Sequence, residues 1–134
     1  MLSKFSRALR RQEGQAMVEL ALILPLVLLI LFGITEFGRA LSAFLAISHA
    51  AREGARLGAL GGTDVEIERT VKGCATGLDV QNVLVAVTPP EVERSSGTTV
   101  TVRVSYTFQV IVPIISSITG PGMPMSTSLS MRVE

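Results

Sequence analysis

The chain has 134 residues, room for one small domain and not two. Hydrophobic residues make up 48% and charged residues only 17%, with a mean hydropathy of +0.50; a soluble domain carries about 25% charge, so apolar surface is expected to end in lipid or in a partner. A net charge of +1 and 4% aromatic residues without Trp supply neither a steering field nor base-stacking platforms, which excludes nucleic acid as a partner.

The N-terminal residues are basic, with Lys4, Arg7, Arg10 and Arg11 opposed only by Glu13. From Leu20 to Ile34 no residue is charged. Counted back through Ala16, Met17 and Val18, the apolar run is about 20 residues long, interrupted only by Glu19; at ~1.5 Å rise per residue it spans ~30 Å, the thickness of a bilayer core. The run predicts a transmembrane helix over residues 15–35. The basic flank orients it by the positive-inside rule, with the N-terminus in the cytoplasm and the remainder outside. Three readings compete: a plain membrane anchor, a cleaved secretory signal, and a pilin-type signal trimmed on the cytoplasmic side that keeps its apolar helix. The secretory signal fits least. Cleavage needs small residues after the run, whereas Glu36-Phe37-Gly38-Arg39 follow it, and Ala40-Leu41-Ser42 is a poor site reached late.

Glu19 carries the most information in this segment. A carboxylate near the centre of a membrane helix costs about 2.5–3.5 kcal/mol on insertion scales, and less toward its end. Cleavage after Gly14 creates an α-amine at Gln15, and Glu19 of one subunit can pair with the Gln15 amine of its neighbour inside a helical bundle. The competing reading is that Glu19 snorkels to the cytoplasmic headgroups. Pro25 removes one backbone hydrogen bond from the apolar helix. Neighbours or local adjustment satisfy the freed carbonyl in membrane helices, so Pro25 marks either a shaped, kinked helix or a tolerated kink without a role.

Gly14-Gln15-Ala16-Met17-Val18-Glu19 resembles a type IV prepilin processing site. The stretch from Glu13-Gly14-Gln15-Ala16 through Val18-Glu19 to Leu24-Pro25, followed by Glu36-Phe37-Gly38-Arg39 and Ala50-Ala51-Arg52-Glu53-Gly54-Ala55-Arg56, resembles the TadE-like family of tight-adherence (Flp) pilus assembly. The likeness is dense from Arg11 to Leu60 and weaker at Met131-Arg132-Val133-Glu134. It implies a bacterial inner-membrane protein whose leader, residues 1–14, is removed by a prepilin peptidase, a membrane aspartyl protease in that family. The implied partners are other Flp pilins and pseudopilins, a second TadE-like protein, the inner-membrane assembly platform and the lipid bilayer. Major Flp pilins usually carry Tyr after the glutamate. Here Leu20 stands in that place, and the chain is longer than those pilins, which favours a minor pilin-like protein, or pseudopilin, over the main filament subunit.

Beyond the span, Gly33 and Gly38 weaken the helix without stopping it. Phe37, Leu41, Phe44, Ser48, Ala51 and Ala55 recur at steps of three and four and predict one buried face. The helix is expected to run to Gly61-Gly62, making residues 36–62 its extracytoplasmic half. Ala50, Gly54 and Gly58 repeat every four residues, a spacing that permits close backbone approach, either to the protein's own sheet or to other pilin-type helices. His49 is the only histidine; alone it makes no metal site, and pairing with Glu53 is its expected role.

Residues 63–134 are expected to form a small α+β domain. Thr63 and Glu66 stand at capping-box spacing, and Ile67, Val71, Cys74 and Leu78 form the stripe of a short helix that stops at Gly77. Cys74 is the only cysteine, so no internal disulfide exists; it reads as a small buried hydrophobe, with intermolecular pairing as the alternative. Val83, Val85 and Val87 alternate as a strand ended by Pro89-Pro90. Arg94-Ser95-Ser96-Gly97 supplies a turn. Val100, Val102, Val104, Tyr106, Phe108, Val110 and Val112 predict one buried face of a second strand, stopped by Pro113. Thr127, Leu129, Met131 and Val133 predict a third. Ile114, Ile115 and Ile118 between them form an apolar loop, expected to fold over the core rather than to stand exposed.

The architecture expected is α+β: a long helix and a short helix on a three-stranded antiparallel sheet, pilin-like. No phosphate-binding glycine loop, metal cluster or nucleophilic triad is recognisable. Asp64 and Asp79 sit at caps and turns, and Glu91 and Glu93 read as solvated. The chain is therefore expected to be no enzyme and to need no cofactor. Two functions remain: a processed pseudopilin, or an uncleaved single-pass module that binds an envelope partner with its outer sheet.

Overall fold

The computed structural model describes the backbone of residues 2–134 and the side chains of residues 14–134. Lys4, Arg7, Arg10 and Arg11, expected to set topology, have their side chains outside the described residues. The fold is α+β. In chain order it comprises α1 (Leu2–Ala59), α2 (Asp64–Cys74), β1 (Val83–Thr88), β2 (Thr99–Gln109), α3 (Pro113–Thr119) and β3 (Gly122–Arg132). Two compact units emerge, Met1–Thr35 and Glu36–Glu134.

In the first unit the described side chains are exposed, with Gly33 alone half-buried. The most apolar 18-residue window of α1 reaches a mean hydropathy of 2.8, and none of it is buried within the protein. One helix of the described chain is thus long and apolar enough to cross a membrane.

The second unit is built on an antiparallel sheet of order β1-β2-β3. Val85 faces Val104, Val102 faces Leu129 and Phe108 faces Met123. The period-two pattern of β2 puts Val100, Val102, Val104, Tyr106 and Phe108 on one buried face. Against it pack Ala43, Ile47, Ala50, Ala51 and Ala55 of α1 with Ile67 and Val71 of α2. Each fully buried Ile or Val contributes about 1.5–3 kcal/mol relative to exposure.

The end of α1 is set by hydrogen bonding. Gly61 adopts φ +83°, its N–H reaches the Gly58 carbonyl at 3.2 Å, and the Gly62 N–H reaches the Leu57 carbonyl at 3.0 Å. This double closure satisfies the last helical carbonyls and needs a left-handed residue at Gly61. The helix therefore ends at Ala59, just ahead of the expected Gly61-Gly62 stop. At α2 the capping box forms as expected: the Glu66 N–H donates to Thr63 Oγ1, and the Thr63 N–H donates to Glu66 Oε2.

Several expectations are corrected. The buried face of the outer half of α1 holds the predicted Ala51 and Ala55 but departs from the prediction before them: Phe37, Leu41 and Phe44 are 71%, 47% and 42% exposed, whereas Ala43, Ile47 and Ala50 are buried. Small side chains win because they let the helix lie close on the sheet. A Cβ on Gly54 would come within 2.6 Å of Val71 Cγ2, and one on Gly58 within 3.2 Å of Val100 Cγ2. The small-residue spacing thus serves the protein's own core. α2 ends at Cys74, before the predicted Gly77, which instead takes φ +80° in the following turn; Cys74 is half-buried against the core. β2 ends at Gln109 instead of running to Val112. The apolar loop is a short helix, α3; Ile115 is half-buried, but Ile114 at 55% and Ile118 at 80% exposed do not fold over the core. His49 does not pair with Glu53, whose Oε2 accepts from Arg56 Nε and Nη2 at 3.0 and 2.8 Å. Glu91 exchanges 3.4 Å hydrogen bonds with Asp64, backbone N–H to carboxylate in each direction. Arg94, a predicted turn residue, is half-buried with its side chain only 5% exposed; it pairs with Asp64 and donates to the carbonyls of Pro89 and Gly62 at 3.0 and 2.8 Å.

Candidate functional site

Gly14, Gln15, Glu19 and Pro25 all lie on α1 in the first unit. Gly14, Gln15 and Glu19 are exposed, and a Cβ at Gly14 would meet no atom within 4 Å. Glu19 forms no ion pair with another described residue. α1 passes through Pro25 as a helix, although proline withholds the N–H that the Ala21 carbonyl would otherwise accept. These residues share one segment of one helix.

The second unit contains a polar centre that sequence reasoning passed over. Glu36 follows Ile34, the last residue of the apolar run, by two positions, yet it is only 6% exposed. Its Oε1 accepts from the backbone N–H groups of Ile111 and Val112 at 2.8 and 2.9 Å. Its Oε2 accepts from Arg39 Nη1 at 2.6 Å. The Arg39 guanidinium in turn lies 5.0 Å from the Phe108 ring centroid, a cation–π distance. Burial by itself raises the Glu36 carboxyl; the Val112 and Ile111 N–H groups, with the Arg39 charge, outweigh it and hold the group below the ordinary carboxylate value.

This clasp explains the early end of β2. After Gln109 the chain leaves the ladder, Val110 donates to the Pro121 carbonyl at 3.2 Å, and the next two N–H groups turn to Glu36. A signal for it exists in the sequence. Glu36, Ala40, Ala43, Ile47 and Ala50 recur at steps of four and three, so a carboxylate occupies the first position of the true core stripe. That stripe was hidden by the bulkier Phe37, Leu41 and Phe44 beside it. Among the described residues no group of three or more His, Cys, Asp or Glu side chains is placed to hold a metal ion.

A family model described as TadE-like protein matches residues 14–56. The match begins at Gly14, takes in Gln15, Glu19, Pro25 and the Glu36–Arg39 pair, and ends at Arg56. No curated protein and no solved structure gives a match. The family suggests a protein associated with Tad pili and with their other components, and the long apolar helix suggests membrane anchoring. From Gly14 to Arg56 the chain thus carries a TadE-like segment, the resemblance that its glycine, glutamate and proline spacing implied.

Proposed function

We propose that the chain is a minor pilin-like protein, a pseudopilin, that joins or primes assembly of a tight-adherence Flp pilus. The observation that supports this reading is the TadE-like match over residues 14–56, which begins at Gly14 and takes in Gln15 and Glu19. The exposed apolar side chains of Phe37, Leu41 and Phe44 support it. They stand on α1 away from the sheet, as a helix does when it packs on neighbouring helices.

In this reading Gly14 marks cleavage by a prepilin peptidase, and Glu19 pairs with the Gln15 amine of a neighbouring subunit. Residues 15–35 store the protein in the inner membrane before assembly and pack in the bundle afterwards. Lys4, Arg7, Arg10 and Arg11 hold the leader in the cytoplasm, leaving residues 36–134 outside. Its partners are the peptidase, other Flp pilins and pseudopilins, and the inner-membrane platform. The protein performs no catalysis of its own and is the substrate of one enzyme.

The test is the mass and N-terminal sequence of the protein from membranes of cells with and without the prepilin peptidase. A start at Gln15 that depends on the peptidase is the expected result, and Gly14→Asp is expected to abolish both processing and pilus assembly. An intact N-terminus in both strains replaces this reading with the permanently anchored binding module, whose partner then belongs to the hydroxyl-rich outer sheet face around Thr101 and Ser130, 2.7 Å apart through their hydroxyls.

A further inference from the structure

The segment containing α3 differs in chemistry from the rest of the second unit. From Val104 to Met131 the chain carries no charged residue. On α3 and its lead-in, Ile111, Ile114 and Ile118 are 68%, 55% and 80% exposed; Ile114 and Ile118, four residues apart, share one face of α3, and Ile111 precedes the helix. A solvated surface helix ordinarily shows charge there.

The polar groups of α3 are satisfied from within. Ser116 Oγ donates to the Pro113 carbonyl at 3.0 Å, Ser117 Oγ to the Ile114 carbonyl at 2.8 Å and Thr119 Oγ1 to the Ile115 carbonyl at 3.1 Å. The Gly120 N–H closes on the Ser116 carbonyl at 2.9 Å. At the other end the Ile111 and Val112 N–H groups are taken by Glu36. A short helix with its hydroxyls bonded internally loses less on leaving water, since an unmade hydrogen bond is what makes burial of polar groups costly.

Chain connectivity states where such a helix is kept. Glu36 is two residues beyond Ile34, ~3 Å of helical rise, and the headgroup layer on each side of a bilayer is roughly 5–7 Å deep. The start of α3 is hydrogen-bonded to Glu36, so it is tethered within the depth of that layer. From these observations we infer that α3 is a membrane-surface foot, which seats Ile111, Ile114 and Ile118 in the outer face of the bilayer that α1 crosses. The inference rests on the membrane-anchoring reading of residues 15–35 and adds a second lipid contact to it. Because the segment is uncharged, the contact is apolar and independent of headgroup charge, unlike that of a basic interfacial helix.

The test uses the full chain in phosphatidylcholine vesicles, in a Cys74→Ala background, with single substitutions Ile118→Cys, Ile114→Cys, Leu28→Cys and Val92→Cys, each carrying a polarity-sensitive fluorophore. Val92, 91% exposed in the β1–β2 connection, is the water control, and Leu28 is the membrane control. Lipids bearing a nitroxide at a shallow acyl position are expected to quench the labels at 118 and 114 at least ~2-fold more than the label at 92, equally with and without anionic lipid. If 118 and 114 behave like 92 while 28 is quenched, α3 stands in water and the inference fails while the anchor survives. If 28 is also unquenched, the anchor reading fails and the inference with it. Labels at 118 and 114 shielded from aqueous iodide but untouched by the lipid quencher identify a protein covering instead and equally overturn it.

Discussion

At the scale of single residues, Glu36 and Gly54 decide how the second unit holds together. Glu36 replaces water with two backbone donors and one guanidinium, and hydrogen bonds to a charged group are worth more than neutral ones. Because its carboxyl is held below the ordinary value, its contribution is fully present above the unfolded-state value and is lost as pH falls through the lowered one. Glu36→Gln is expected to cost about 1–3 kcal/mol at neutral pH and to flatten the acid limb of thermal unfolding followed against pH. Part of that limb should remain, since Glu66 is also held low by the Thr63 N–H and hydroxyl. Gly54 has no room for a methyl group between Val71, Val102 and Ile67. Gly54→Ala should destabilise the unit by about 1–3 kcal/mol through overpacking, despite the higher helix propensity of alanine. Gly38, where a Cβ would meet nothing within 4 Å, is the matched control, and Gly38→Ala should stabilise by up to about 1 kcal/mol. Chemical denaturation of the two variants side by side separates the effects.

At the scale of elements, the outer half of α1 presents different side chains on different faces. Its small residues serve the sheet, and its large ones, Phe37, Leu41 and Phe44, are left outward. Their three-four spacing carries back in sequence through Ile34, Ile30, Val27 and Ile23. Replacing Phe37, Leu41 and Phe44 together by Ser should leave denaturant unfolding of the second unit within about 1.5 kcal/mol of the parent, at up to about 0.5 kcal/mol for each surface change away from the core. The same variant should fail to support pilus assembly in cells, read by shear-released filaments. Loss of folding stability equal to that of a core substitution would instead place this face in the protein's own packing. α3 shows the complementary case. Its pattern read as a loop because seven residues bounded by Pro113 and Gly120 contain too few periods to declare a helix, and its exposure follows from the Glu36 clasp that pulls the chain out of the β2 ladder.

At the scale of the whole molecule, the sequence by itself determined the class of the fold, the apolar span with its glycine-to-glutamate spacing, the capping box of α2 and the alternation of the three strands. All of these rest on local periodicity or on fixed short offsets, which a chain displays before it folds. The Schellman closure at Gly61 and Gly62 belongs with them, since two glycines after a helical stripe leave few alternatives. Only the tertiary structure decided which stripe of α1 is buried, because two apolar stripes compete there and the choice turns on how near the sheet can approach. It alone decided that Glu36 is buried, that Arg94 and Asp64 pair across the α2 entry, and that Ile114 and Ile118 face outward. Each of those outcomes joins residues distant in the chain, up to the span from Glu36 to Val112, and their energies depend on desolvation and on donors from another element. No local pattern encodes that dependence, so it becomes readable only once the chain has closed on itself.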